Sequence, residues 1–369
     1  LPEQSPLWLP SPAVRDQSNL SRFARQLQAK FHGSFPDYAA LHRWSIAHPG
    51  EFWGELANFC GMQFVQRPTR VFDLPAGTPM RSIQWFPGAT LNFARALLGE
   101  PSDQLAIISL TESEGSPRQI SRRQLWMDVA ALTRRLVRLG LQSGDRACGV
   151  VANHYESVVA MLAVTALGGV WASCSPDFGT QAILDRFSQL QPKVLFYTSS
   201  YRYGGKCFDC EPKIADVARS LTSLKLLVSI DHLKGRSQPL SGAAEDWSAA
   251  LSSERVDQAI EIPFVETPFD HPLFVMFSSG TTGIPKGIVH AAGRTLLQHL
   301  KEHQLHVDLK PGERIFYFTT CGWMMWNWLV SALASGATIV LYDGSVTVPS
   351  AGYLWEFAAQ TRLQVFGTS

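Results

Sequence analysis

Between Ser278 and Gly287 the chain sets three glycines, four hydroxyl side chains and one lysine into ten residues: Ser278-Ser279-Gly280-Thr281-Thr282-Gly283-Ile284-Pro285-Lys286-Gly287. An apolar run, Leu273 to Phe277, leads into them and predicts a buried strand. Gly280, Gly283 and Gly287 allow φ > 0 and let an anion approach their backbone N–H groups. Ser278, Ser279, Thr281 and Thr282 add hydroxyl donors, Lys286 adds a mobile positive charge, and Pro285 stiffens the turn ahead of it. Together these groups suit a polyphosphate. They differ from the ordinary P-loop, G-x-x-x-x-G-K-[ST], because the glycines are spaced otherwise and Gly287 stands where Ser or Thr belongs.

At 369 residues the chain exceeds one typical domain, which predicts two domains or one large α/β unit. Apolar residues at 46% and charged residues at 17% supply a sizeable core. Lys and Arg number 32 against 31 Asp and Glu, so no basic excess supports binding to nucleic acid or to an anionic membrane. Two charge-free stretches, 157–176 and 315–342, are long enough to span a bilayer. Gly168-Gly169 and Pro176 break the first, and Gly322, Asn327 and Gly336 break the second. Each therefore reads as a buried helix and strand in a doubly covered sheet.

The six cysteines are scattered, and Leu1 to Pro12 lacks the apolar region of a signal peptide, so reduced thiols in a cytoplasmic protein are expected. Cys207 and Cys210 form a lone C-x-x-C, and His299, His303 and His306 have no fitting carboxylate or Cys beside them; no metal site is assigned to either group.

Residues 1–30 read as a loosely ordered arm with one helix, Asn19 to Lys30. Tyr38, Leu41, Trp44 and then Phe52, Leu56, Phe59 recur at helical spacing and predict two short aromatic helices. A further helix is expected after the Pro87-Gly88 turn. From Leu105 strands and helices alternate. Strands are expected over Leu105–Leu110, Arg146–Ala152, Val170–Ser173, Val194–Tyr197, Leu226–Ile230 and Ile288–His290. Helices are expected over Ser121–Leu139, His154–Leu167, Thr180–Leu190 and Ala291–His303. Ser121 and Gln124 make a capping box, Gly140 is a terminator, and Thr180 is expected to cap its helix after the Pro176-Asp177 turn. This alternation argues an open, largely parallel α/β sheet. The span 237–266 is the least periodic and reads as a surface excursion.

The ten residues from Ser278 to Gly287 resemble the phosphate loop of the adenylate-forming enzymes, which include acyl-CoA synthetases, luciferases and the adenylation domains of peptide synthetases. Leu41-His-Arg-Trp-Ser45, Phe52-Trp53 and Leu91-Asn-Phe-Ala94 resemble the cap that precedes the main domain in the acetyl-, propionyl- and acetoacetyl-CoA synthetase branch. Ser175-Pro-Asp-Phe-Gly179, Leu184-Asp-Arg-Phe-Ser-Gln189 and the wording around Gly322 are similar to the acetoacetyl members.

The resemblance implies an α/β fold of layered, mostly parallel sheets. A helical cap over 1–95 would be followed by an incomplete AMP-binding domain over 96–369, with the C-terminal lid and its lysine beyond Ser369. It implies an acid–CoA ligase that consumes acetoacetate, ATP and CoA with Mg²⁺, through an acyl-adenylate. Lys286 and Thr281 are then the catalytic candidates, and Ser278, Ser279, Gly280, Thr282, Gly283 and Gly287 hold phosphate beside them. Trp323, Met324, Met325, Trp326 and Asn327 form the acyl wall. Met there can adapt to a four-carbon keto acid, and the Asn327 amide can donate to its 3-keto oxygen. Lys206, and second Arg202, meet the nucleotide end of CoA, although the Tyr201–Lys206 turn reads equally as a solvated surface turn. An acetyl- or propionyl-CoA synthetase and a nucleotide-binding form without turnover remain as alternatives, and the oligomeric state is open.

Overall fold

The structure, a computed structural model, describes residues 8–368 except 74–76, 78, 80–81, 113, 232, 234–243, 253–260 and 279–282. It opens with four helices, Pro12–Gln17, Asn19–Phe31, Tyr38–Ala47 and Pro49–Phe59. Ser11, Ser18 and Asp37 cap the first three by accepting from the N–H of Val14, Ser21 and Ala40. The expectation of a loose arm is corrected from residue 12 onward. Phe23 and Leu27 are fully buried, and Phe23 meets Phe52 and Phe59 at ring-centroid distances of 5.8 and 5.2 Å. An amphipathic helix with such a face needs a cover, and the two aromatic helices provide it. Asn19 fastens the helix start to the main body: its N–H donates to Asp308 at 2.7 Å and its amide to the Leu309 carbonyl at 3.2 Å. The helix expected soon after Pro87-Gly88 begins only at Phe93, where Asn92 supplies the cap.

Two sheets follow. In the larger, the strand order is Ala244–Asp246, Leu226–Asp231, Val194–Tyr203, Arg146–Val150, Val170–Cys174, Pro272–Phe277 and Gly287–Ala291, with Lys206–Asp209 paired beside Val194–Tyr203. Its pairs are parallel except for the Pro272–Phe277/Gly287–Ala291 and Val194–Tyr203/Lys206–Asp209 hairpins. The smaller sheet runs Val365–Gly367, Arg314–Tyr317, Thr338–Asp343, Leu105–Thr111 and Arg118–Ser121, with the last strand antiparallel.

Strand side chains alternate between faces, and the core divides accordingly. Ala147 and Trp171 face the central core, with Ile107 and Ile339 of the smaller sheet; Cys148 and Ala172 face the opposite side, under the helices Thr180–Phe187 and Glu211–Ser220. The helix Tyr155–Ala166 lies in the central core with all 12 residues buried, which accounts for its charge-poor sequence. Among the described residues no helix is long and apolar enough to cross a membrane. Helix Arg122–Leu139 starts at Ser121, whose hydroxyl accepts from the Gln124 N–H, and stops at Gly140 with φ 83°.

Several local expectations are corrected. Helix Thr180–Phe187 is capped by Gly179 and not by Thr180, which is already its first helical residue. Helix Ala292–Lys301 passes into a π-helical turn, Glu302–His306. The strand from Val194 runs to Tyr203, and the hairpin strand Lys206–Asp209 and helix Glu211–Ser220 have no counterpart in the sequence reading.

The two sheets meet where their parallel strands end. Asn153 follows the strand Arg146–Val150 and is 1% exposed. Its N–H donates to Asp343 Oδ1 at 3.1 Å, and its amide nitrogen to the carbonyls of Thr319 and Tyr342, each at 3.3 Å. Its Oδ1 accepts from the Trp326 indole at 3.0 Å. Truncating it takes from the buried indole N–H its partner and from each of the two carbonyls one donor. Asn153→Ala should cost about 2–4 kcal/mol, measured as a lower urea midpoint. Asn153→Asp, which sets a carboxylate against two carbonyls, should cost more. A midpoint for the alanine variant equal to the parent's would contradict the role given to this residue.

Candidate active site at the carboxyl ends of the strands

The loop 278–286 joins strand Pro272–Phe277 to strand Gly287–Ala291, an antiparallel hairpin at the edge of the larger sheet. Ser279, Gly280, Thr281 and Thr282 lie outside the described residues. The shoulders of the loop are described. The Ser278 N–H donates to the Lys286 carbonyl at 3.1 Å and closes its base. Gly283 has φ 141°, a backbone setting that favours glycine. Gly287 is a correction: it sits in the strand without positive φ, and a Cβ there would come within 3.2 Å of Val275. Its value is close approach and not turn geometry. The Lys286 side chain is exposed.

Pro285 is held from outside the loop. The Gln189 amide donates to the Pro285 carbonyl at 2.9 Å and to the Asp185 carbonyl at 2.6 Å. Gln189 closes the phrase Leu184–Gln189. Nothing in its spacing shows that its amide reaches residue 285.

Trp323 is the N-cap residue of helix Met324–Ser331. The segment before it is pinned to the larger sheet: Ser173 donates to the Cys321 carbonyl at 2.7 Å, and the Cys321 thiol approaches the Ala152 carbonyl at 3.3 Å. Helical periodicity then divides the expected wall. Trp323 and Met324 are 66% and 48% exposed, Met325 is half-buried, and Asn327 lies one turn below them at 4%. Trp326 is a correction: it is 0% exposed, and its indole donates to Asn153 as that of a core residue. Asn327 Nδ2 sits 3.1 Å from Met276 Sδ, and its Oδ1 is buried without a partner. Met276 stands two residues before Ser278, so Asn327 touches the strand that leads into the loop 278–287. The sequence reading missed Met276, because an apolar strand residue carries no sign of it.

Arg202 and Lys206 lie on the Val194–Tyr203/Lys206–Asp209 hairpin, where Arg202 pairs with Cys207 across the ladder and Gly204-Gly205 makes the turn. Lys206 is exposed, while Arg202 is half-buried with its Nε unpartnered. Cys207 is exposed and Cys210 buried.

The three histidines are not gathered. Among the described residues no three His, Cys, Asp or Glu side chains stand together to hold a metal. His299 Nδ1 lies 2.9 Å from the Ser331 hydroxyl. His303 is fully buried against Trp328, and neither of its ring nitrogens finds a partner. Burial, and then the neighbouring His290, brings His299 down to about 3. Burial, and then His299, brings His303 to about 3. Both rings are neutral in the folded chain and take up protons below about 6.5 on unfolding. Stability should therefore fall as pH drops from about 6.5 towards 3, by about 1.4 kcal/mol per pH unit for each ring. His303→Leu should flatten this fall in urea midpoints between about pH 6 and pH 4. A pH dependence identical to the parent's would contradict it.

The AMP-binding enzyme family matches residues 93–369, and the acetyl-coenzyme A synthetase N-terminus family matches residues 38–96. The chain is 41% identical over 370 residues to the acetoacetyl-coenzyme A synthetase of Rhizobium meliloti, covering 99% of this chain and 55% of that one. It is 39% identical to the malonamoyl-CoA synthetase of Penicillium aethiopicum, covering 88% of this chain and 46% of that one. A solved structure, the acetoacetyl-CoA synthetase from Streptomyces lividans, superposes with a TM-score of 0.91 at 41% identity, covering 99% of this chain and 55% of that one. The chain thus spans about half the length of these relatives.

Proposed function

Since the chain belongs to the AMP-binding enzyme family, we propose that it serves an acid–CoA ligase whose acid is acetoacetate. The observation that carries this reading is the single strand on which two subsites meet. Asn327 touches Met276, and Ser278 opens the phosphate loop two residues later. An acid seated against Trp323, Met324 and Asn327 has its carboxylate close to a nucleotide held by the loop.

The chemistry then needs positioning and charge neutralisation. A carboxylate oxygen of the acid attacks the α-phosphorus of ATP, the bond to the β-phosphate oxygen breaks, and pyrophosphate leaves. The CoA thiolate next attacks the acyl carbon, and AMP leaves with the bonding pair. Ser278, Ser279, Thr281 and Thr282, with the N–H groups of Gly280 and Gly283, hold the β- and γ-phosphates, and Lys286 neutralises their charge. Gln189 keeps Pro285, next to Lys286, in place. Lys206 and Arg202 meet phosphates of CoA. Mg²⁺ supplies further charge neutralisation on the phosphate oxygens; the described residues offer no cluster of their own for it.

Asn327 sets the acid preference in this reading. Its amide donates to the 3-keto oxygen, so an acid without that oxygen leaves a buried donor unmatched. A second reading rests on the unpartnered Asn327 Oδ1. That acceptor suits an acid with a 3-amide N–H, as in malonamate.

The test is AMP release with ATP, Mg²⁺ and CoA in the full-length protein, over acetoacetate, malonamate, acetate, propionate and butyrate. Acetoacetate should lead, Lys286→Ala should lose about 100-fold or more in kcat/KM, and Asn327→Ala should narrow the gap between acetoacetate and butyrate about tenfold. Malonamate in the lead would favour the second reading. Acetate or propionate in the lead would keep the chemistry and move the substrate. No AMP from any acid would overturn the proposal.

A further inference from the structure

The hairpin bearing Arg202 and Lys206 is held by the other sheet as well as by its own ladder. Glu112 follows the strand Leu105–Thr111 of the smaller sheet. Its Oε2 accepts from the Gly204 N–H at 2.9 Å and from the Ser345 N–H at 2.8 Å, and its Oε1 accepts from the Gly205 N–H at 2.6 Å. Successive backbone N–H groups aimed at one anion form a nest, and here the anion is the chain's own carboxylate.

Both sides of this contact are built for it. Gly204 and Gly205 have φ 60° and 77°, which turns their N–H groups the same way. Gly344 has φ 157°, and a Cβ on it would come within 2.7 Å of the Glu112 Cβ. The Glu112 N–H donates to the Asp343 carbonyl at 2.8 Å, which fixes the root of the side chain. The carboxylate is taken up by three backbone donors and not by the bases. Arg202 Nε is left without a partner, and Lys206 stays exposed one residue beyond the turn.

We propose that Glu112 is a positioning residue for the CoA half-reaction: it clamps the Gly204-Gly205 turn to the smaller sheet so that Arg202 and Lys206 present their charges to the phosphates of CoA. This rests on the reading above that the two bases meet CoA. Charge-assisted bonds to backbone N–H groups are the stronger kind; two of them hold a turn that its two glycines would otherwise leave loose, and the third, from Ser345, anchors the carboxylate to the other side of the contact.

The test compares Glu112→Ala, Glu112→Gln and Lys206→Glu in the full-length protein. Acid-dependent exchange of pyrophosphate into ATP, without CoA, reads the first half-reaction; AMP release against CoA concentration reads the second. Glu112→Ala should raise KM for CoA about tenfold while the exchange rate and KM for ATP stay within about twofold. Glu112→Gln, which keeps the shape and one acceptor oxygen, should recover part of the loss and carries the test if the alanine variant fails to fold. Lys206→Glu should raise KM for CoA by a similar factor. An unchanged KM for CoA in both Glu112 variants, with Lys206→Glu impaired, would overturn the clamp and leave the CoA reading standing. Equal losses in both half-reactions would reduce Glu112 to a structural role and also overturn it. An unchanged CoA dependence in all three variants would remove the CoA reading and the inference with it.

Discussion

Asn153 closes the gap between two sheets with one buried amide, and the placement of the site follows from that bridge. Its donors hold the ends of two strands of the smaller sheet through the Thr319 and Tyr342 carbonyls, while its acceptor holds Trp326. Trp326 belongs to the helix that is capped by Trp323 and also carries Met324 and Asn327. The orientation of that helix is therefore tied to the indole–amide bond. Asp343 shares the junction. Burial pushes its carboxyl upward, and the Asn153 N–H opposes this. A buried polar network of this kind is stable when every member is satisfied, and all four polar groups that Asn153 engages find it.

The site draws on both sheets, and the joints are few. The hairpin Pro272–Phe277/Gly287–Ala291 belongs to the larger sheet, and the helix Met324–Ser331 belongs to a connection within the smaller one. The Asn327–Met276 contact joins them, and Gln189 adds a third element by holding Pro285. Ligands of open α/β sheets lie outside the carboxyl ends of the strands, and here two such ends face one another across Asn153. Each joint is a contact between a side chain and one strand or loop, so small shifts between the sheets pass directly into the distance between the helix Met324–Ser331 and the loop 278–287.

What could be read from the sequence was local. Strands from Leu105 onward and helices such as Arg122–Leu139 follow from periodicity and caps, and the loop 278–287 was legible because glycine, hydroxyl and lysine at that spacing serve few other purposes. What escaped depends on partners far along the chain. The docking of helix Asn19–Phe31 needs Asp308 and Leu309, nearly three hundred residues away. Helix Glu211–Ser220 shows a weak apolar stripe, with Ile214 and Val217 as its buried aliphatic residues and Pro212 near its start. Trp326 looked like its neighbours in a row of aromatic and methionine residues, and only the helical turn separates the core side from the open one. Gly287 was assigned a backbone role, whereas its strand pairing asks only for the absence of a side chain.

The helix Tyr155–Ala166 has all its residues inside, and the segment 157–176 that it begins carries no charge. Its neighbours include the nearby helices Phe93–Leu98 and Arg122–Leu139 and the strand Val170–Cys174. The core cluster it belongs to also takes in Ile315, Ile339 and Leu341, so a chain still emerging from the ribosome lacks part of the cover for this segment until those later residues arrive. A parallel sheet of that kind assembles slowly and leaves apolar surface open to self-association. Substitutions that loosen the sheet junction should accordingly appear first in cells as lost solubility and dependence on chaperones, before the turnover of correctly folded molecules changes. The yield of soluble protein is thus a reporter of the junction that is independent of the chemistry.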